Sequence, residues 1–208
     1  MKTILILMDS LNRHFLPAYG NTWVKTPNID RLAKRSVVFD NHWVGSAPCM
    51  PARRDMMTGR LNFLERGWSS LEPFDVTLPG ILRRNGVYTR METDHYHYFH
   101  VGGEGYHTPF NSWAFYRGQE HDAYAGQIAS PPKPDRHLGK WNEQYEKNRA
   151  QFKADAGYPS PQTFAGAAQW LRENRDADNY FLWVEAFDPH EPFDCPREFL
   201  DLYGDEWA

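Results

Sequence analysis

An α/β fold is predicted by three features of this 208-residue chain. A continuous apolar run, Ile4 to Met8, is bounded by Lys2-Thr3 and Asp9. A second, Tyr180 to Phe187, ends at Asp188-Pro189-His190. Between them lie segments with helical spacing and helix-type ends, so helix and strand alternate along the chain. Uninterrupted apolar runs suit parallel strands covered on both faces. In open α/β sheets, ligand chemistry gathers outside the carboxyl ends of the strands, which is where Asp9 stands.

The elements follow in order. Thr26 reads as an N-cap with Pro27 at the first helical position and Asp30 in the first turn, opening a helix to about Lys34. Ser36 to Phe39 reads as a short strand, and Gly45-Ser46-Ala47-Pro48 as a turn that delivers Cys49. Ala52 to Thr58 can be helical and Gly59 ends it, which puts Cys49 near a helix N-terminus. Partial positive charge there favours an anionic oxygen or thiolate. Leu78 to Asn85 forms a further helix, capped by Thr77 and stopped by Gly86. A strand from Val87 to Met91 leads into Thr93-Asp94-His95-Tyr96-His97. Residues 100–161 are rich in Gly and Pro and read as a loop-rich, substrate-facing insertion with some helix around Asn142 to Lys153. Gln162 to Asn174 has helical spacing and precedes the second apolar run.

Bulk properties narrow the function classes. A net charge of −4 gives no reason to expect nucleic acid or an anionic membrane as partner. The aromatic residues are abundant at 15%, many of them between Tyr88 and Trp141, which suits a core or a rim for sugars and aryl groups. Two cysteines, Cys49 and Cys195, make no disulfide framework and both read as reduced. The N-terminal apolar run is too short for a signal peptide and no stretch is long enough to span a membrane, so a cytoplasmic location is expected.

The densest signal is Cys49-Met50-Pro51-Ala52-Arg53-Arg54-Asp55-Met56-Met57-Thr58-Gly59-Arg60, which fits C-x-P-x-R-x-x-x-x-T-G without a gap. Five fixed identities at ordinary usage give a chance match on the order of one in 10^4 or rarer for a chain of this size. The run resembles the maturation and active-site signature of type I sulfatases. Thr3 to Asp9 is similar to that family's opening strand, Thr26-Pro27-Asn28-Ile29-Asp30-Arg31-Leu32 to its T-P-N-h-D-x-L helix start, and Phe187-Asp188-Pro189-His190-Glu191-Pro192-Phe193 to its D-P-H-x-P-F segment. All four stand in family order. The resemblance implies an alkaline phosphatase-like sandwich, a central mostly parallel sheet between helices, with residues 1–208 as the N-terminal part of the catalytic domain.

It also implies a chemistry. Cleaving a sulfate monoester takes a strong nucleophile, a cation to neutralise the group and an acid for the leaving oxygen. By resemblance, a maturation enzyme converts Cys49 to formylglycine, whose hydrate attacks sulfur with one hydroxyl and expels sulfate through the other. Arg53 bridges the hydrate and a sulfate oxygen with its planar fork. Arg54 points to solvent or reinforces the same field. Asp9, with residue 49, binds a divalent metal, calcium in the first instance and magnesium or manganese otherwise. His190 aims at the sulfate or the leaving oxygen. His95, then His97, stands in for the family's G-K-W-H-like element, with structural hydrogen bonding or a zinc pair as the other readings. A sulfated small molecule or saccharide is the implied substrate.

Three departures bear on that reading. Ser10 stands where many sulfatases have a second aspartate, which is similar to the phosphonate monoester and phosphodiester hydrolases of the same superfamily. The lysine of the G-K-W-H element is missing. A D-H-G or D-N-G segment, which supplies the remaining metal ligands in the family, is absent, and the tail from Tyr203 to Ala208 reads as an interruption. An N-terminal portion of a longer hydrolase is therefore expected. A phosphonate or phosphodiester hydrolase and a non-catalytic, aromatic-rich binding module are the alternatives.

Overall fold

The computed structural model describes residues 1–133 and 142–204. Trp141, at the end of the aromatic-rich stretch, and residues 205–208 of the tail lie outside the described residues. Four strands form one parallel sheet: β1 (Lys2–Met8), β2 (Tyr88–Thr93), β3 (Ser112–Phe115) and β4 (Tyr180–Ala186), in the spatial order β1-β4-β2-β3. The longer helices are α1 (Pro27–Ala33), α2 (Cys49–Thr58), α3 (Leu78–Arg84), α4 (Glu143–Arg149) and α5 (Pro159–Glu173), with a single turn, α6 (Arg197–Leu200), near the end.

β4 is the centre of the sheet and every one of its residues is buried. Successive side chains of a strand face opposite ways, and β4 uses both faces. Phe181 and Trp183 pack with Met50 and Met57 of α2 and with Met91, Tyr98, Tyr106 and Phe110. Tyr180, Leu182 and Val184 pack on the other side with Ala167, Trp170 and Leu171 of α5. Helices thus cover both faces, as a parallel sheet requires.

The coverage stops at β1. Leu5 and Leu7 join the first core, but Ile4 and Ile6 on the opposite face are 46% and 53% exposed. The expectation of a first strand covered on both faces fails there, because β1 is an edge strand of the described sheet and α5 packs over β4 and β2 instead.

Three further expectations change. Ser36 to Phe39 is not a strand: Val37, Val38 and Phe39 are exposed and find no sheet partner among the described residues. α2 begins at Cys49 rather than Ala52, since Pro51 in its first turn has no N–H that an intrahelical bond would need. It ends as expected at Gly59, whose φ of +67° only glycine adopts without strain. The 100–161 segment is not wholly an insertion: Ser112-Trp113-Ala114-Phe115 pairs with Arg90 to Thr93 as an edge strand. Four residues are too few for periodicity to reveal. The helix expected around Asn142 to Lys153 is α4, capped by the Asn142 side chain, which accepts from Tyr145 N at 3.1 Å.

Candidate active site

Because the strands are parallel, their carboxyl ends lie along one edge. Asp9 follows β1, Asp94 and His95 follow β2, and Phe187 and Asp188 follow β4. The backbone ties these exits together: Asp9 N donates to Ala186 O at 3.0 Å and Asp94 N to Glu185 O at 3.4 Å. α2 starts at the same edge, so the sheet and one helix N-terminus meet at Cys49.

Asp9, Cys49 and His95 place one ligand-type atom each within 4.8 Å of one another. His95 Nε2 is 3.2 Å from Asp9 Oδ2, and Arg53 Nη2 lies 3.2 Å from the same oxygen. Arg53, one turn into α2, is 5% exposed. Its Nε donates to Glu185 Oε1 at 2.9 Å and its Nη1 to the Cys49 carbonyl at 3.4 Å. Nη2 is 2.9 Å from Glu185 Oε1 as well. It is within ion-pair distance of both carboxylates but has an aligned hydrogen bond to neither, so that attraction is Coulombic and its N–H groups remain free donors.

The electrostatics follow from this packing. Burial pushes the Asp9 carboxyl up, but the His95 hydrogen bond, the charges of Arg53 and His95 and a hydrogen bond from Cys49 outweigh it and hold the group well below the usual carboxylate range. For Cys49, burial and then the Asp9 charge push the thiol up to about 12, against the opposing pull of Arg53. The expected thiolate-favouring effect of the helix N-terminus is overcome, and the residue is a protonated thiol at neutral pH. Burial lowers the Arg53 pKa, yet Glu185, Tyr98 and Asp9 together raise it above its ordinary value.

The remaining sequence candidates fall at graded distances. His97 sits beside His95, ring centroids 5.0 Å apart, with Nε2 3.6 Å from Glu120 Oε2. Burial lowers its pKa, partly countered by Glu120. His190 stands one ring further out, 4.4 Å from Phe187, whose ring also touches His95 and His97. Its Nδ1 is 2.7 Å from the Glu191 carbonyl. A carbonyl only accepts, so that nitrogen carries a hydrogen and Nε2 is the ring nitrogen not engaged by Glu191.

Arg54 corrects the expectation. It neither faces solvent nor joins the Arg53 field: it is fully buried and donates to Ser69 O, Ser69 Oγ and Ser70 O. Two successive residues of a helix point about 100° apart, so Arg53 and Arg54 cannot serve one small site. No disulfide forms; Cys49 and Cys195 are both free.

Sequence reasoning missed Glu185. It is fully buried and joins Arg53 to Tyr98 and Trp183, which donate to Oε2 at 2.5 and 2.9 Å. One signal was present: a lone carboxylate in a strand otherwise apolar or aromatic has to be paired.

Comparison with known proteins agrees with this geometry. The sulfatase family model matches residues 2–206. Choline-sulfatase of Rhizobium meliloti (strain 1021) is 27% identical over 220 residues, covering 97% of this chain and 41% of its own. Human (Homo sapiens) iduronate 2-sulfatase is 29% identical over 228 residues, covering 98% of this chain and 38% of its own. Among solved structures, the phosphonate monoester hydrolase of Agrobacterium radiobacter superposes with a TM-score of 0.67 at 20% identity, over 97% of this chain and 43% of that one. At that identity the likeness concerns the fold, which is of the alkaline phosphatase-like type. The chain spans about two fifths of the length of these relatives. The match over residues 2–206, together with the signature run at Cys49, establishes that this chain belongs to the sulfatase family.

Proposed function

We propose that this chain carries the nucleophile of a sulfuric ester hydrolase, and that Cys49, oxidised to formylglycine by a maturation enzyme, attacks a sulfate monoester. The observation that carries the reading is the meeting of Cys49, Asp9, Arg53 and His95 at one buried sheet edge. A thiol with a pKa near 12 is a poor nucleophile at neutral pH. This supports a role for residue 49 after conversion to an aldehyde hydrate, whose hydroxyls need no thiolate.

Asp9, residue 49 and His95 fit part of a divalent cation's shell. One carboxylate, one imidazole and residue 49 fall short of the six to eight oxygens calcium takes, so these three would hold only part of its shell; calcium is the first choice by family resemblance alone, with magnesium or manganese the others. A bound cation supplies positive charge to the sulfate and the attacking oxygen. Arg53 offers the Nη2 donors to a sulfate oxygen, held in place by its Nε. His190 Nε2 and His97 are the groups that move the proton to the leaving oxygen.

The substrate class is a sulfated small molecule or saccharide. The names of the choline and iduronate sulfatases support it, as does the exposed Trp68 ring packed edge-on against His97. Phosphonate monoester or phosphodiester cleavage is the second reading, favoured by Ser10 beside Asp9. The test is to co-express the enzyme with a maturation enzyme, weigh the Cys49 peptide and compare aryl sulfate with phosphonate and phosphodiester rates. Sulfate preference and the lower mass of the aldehyde are expected. An unmodified thiol in an inactive protein points to a binding module instead.

A further inference from the structure

Glu185 is a buried charge that the fold does not require. Every other side chain of β4 is apolar or aromatic, and a carboxylate at a fully buried position loses its hydration at a cost of several kcal/mol. A hydrophobic residue would fill the same space, so a position in the core does not account for it. What distinguishes Glu185 is the number of donors aimed at it. Oε1 receives Arg53 Nε and faces Nη2, both at 2.9 Å, while Oε2 receives Tyr98 Oη and Trp183 Nε1. His95 Nε2 stands 3.8 Å from Oε1. The carboxylate is itself held on a central strand, with Leu7 and Thr93 as its register partners on either side.

We propose that Glu185 is a positioning residue for Arg53. It holds the guanidinium by the directed Nε bond, with the Nη2 charge attracted to the same oxygen, so that the fork stays turned towards residue 49 whichever partner Asp9 takes. Asp9 is shared: Arg53, His95 and Cys49 all reach it. Any ligand that claims the Asp9 oxygen removes one of the two carboxylates near Arg53. The directed Nε bond to Glu185 does not depend on Asp9 and survives that exchange. Tyr98 and Trp183 saturate the second oxygen, which keeps the carboxylate from turning. The role in turnover rests on the sulfate ester reading above; the clamp itself does not.

Two experiments separate these. In the chain labelled with 15N-arginine, the Arg53 Nε–H resonance is expected to exchange slowly with water. Glu185→Gln has only one acceptor oxygen for the two sides, and it should bring that resonance into fast exchange with the rest of the spectrum unchanged. Glu185→Asp, one methylene shorter, serves the same purpose should the Gln variant not fold. An Arg53 Nε–H equally protected in the variant overturns the proposal.

In the active enzyme, Glu185→Gln is expected to lower kcat for an aryl sulfate by about 10–100-fold, the range a misplacement of about 1 Å produces. KM should change less. Arg53→Met and the double variant Arg53→Met/Glu185→Gln should be equally slow, because residues acting as a unit are non-additive. A further loss in the double variant shows that Glu185 acts apart from Arg53 and sinks the idea. If the wild-type enzyme hydrolyses no sulfate ester, the functional reading fails, and the exchange measurement still decides the clamp.

Discussion

Asp9 and Asp94 follow β1 and β2 and stand on either side of β4 at the same edge of the sheet. Both are buried, and burial pushes both carboxyls up. Asp9 nevertheless ends well below the ordinary range, because Arg53 and His95 reach it. Asp94 has no cation among its hydrogen-bond partners. Its oxygens accept from Gln119 Nε2 at 2.9 Å, Ser160 Oγ at 2.7 Å and Phe187 N at 2.7 Å. Burial, followed by the like charge of Asp188, pushes Asp94 up to about 7. Neutral donors hold a carboxyl in place, whereas cations also keep it charged. The Asp94 cluster is a brace that joins the β2 and β4 exits; the Asp9 cluster keeps a full negative charge where the proposed chemistry needs one.

The largest expected effect isolates the proposed nucleophile. Cys49→Ala, produced alongside the maturation enzyme, should have a kcat at least about 10^4-fold below that of the matured wild type, as loss of a covalent nucleophile does. Its melting temperature should stay within a few degrees of wild type. Activity that persists would break the assignment of the Asp9 cluster as the reactive one.

Next comes the charge balance. Arg53→Met leaves Asp9 and Glu185 buried without their cation and should cost about 3–5 kcal/mol in denaturant unfolding. Adding Glu185→Gln should recover part of that, because one unpaired charge goes with it.

The pH dependence sharpens the contrast, and the two clusters act with opposite sign. Asp94 has its folded pKa raised from 3.8 to about 7. Its contribution is complete below about pH 4 and lost as pH rises through 7. Asp9 has its folded pKa depressed, so its contribution is present above the ordinary carboxylate range and lost only in acid. Thermal melting should therefore decline between pH 5 and 8 by a margin that Asp188→Asn reduces and Asp9→Asn leaves unchanged. An equal decline in the Asp188 variant would mean that the like charge is not what raises Asp94.

The smallest effect is local. Asp9→Asn removes the charge that, after burial, does most to raise the Cys49 pKa. Alkylation of the unmatured thiol by iodoacetamide at pH 8 should then run several-fold faster.

The order of strands and helices was legible because local rules govern it. Ile4 to Met8 and Tyr180 to Phe187 announce strands by unbroken apolarity, while Thr77, Pro27 and Gly59 mark helix ends by their backbone chemistry. β3 was hidden, since its four residues become a strand only through pairing with β2. The Ser36 to Phe39 run has strand-like composition but no sheet position to occupy.

For the site, the sequence by itself singled out Cys49, Arg53 and Asp9, through one twelve-residue run and one strand end, and the structure brings the three together. The place of His190 and the whole contribution of Glu185 were decided by tertiary structure. The physical reason is range. Helix phase, capping and apolar runs are set by neighbours a few residues away. The partner of a buried charge is chosen by packing: Arg53 and Glu185 lie 132 residues apart in the chain and 2.9 Å apart in space.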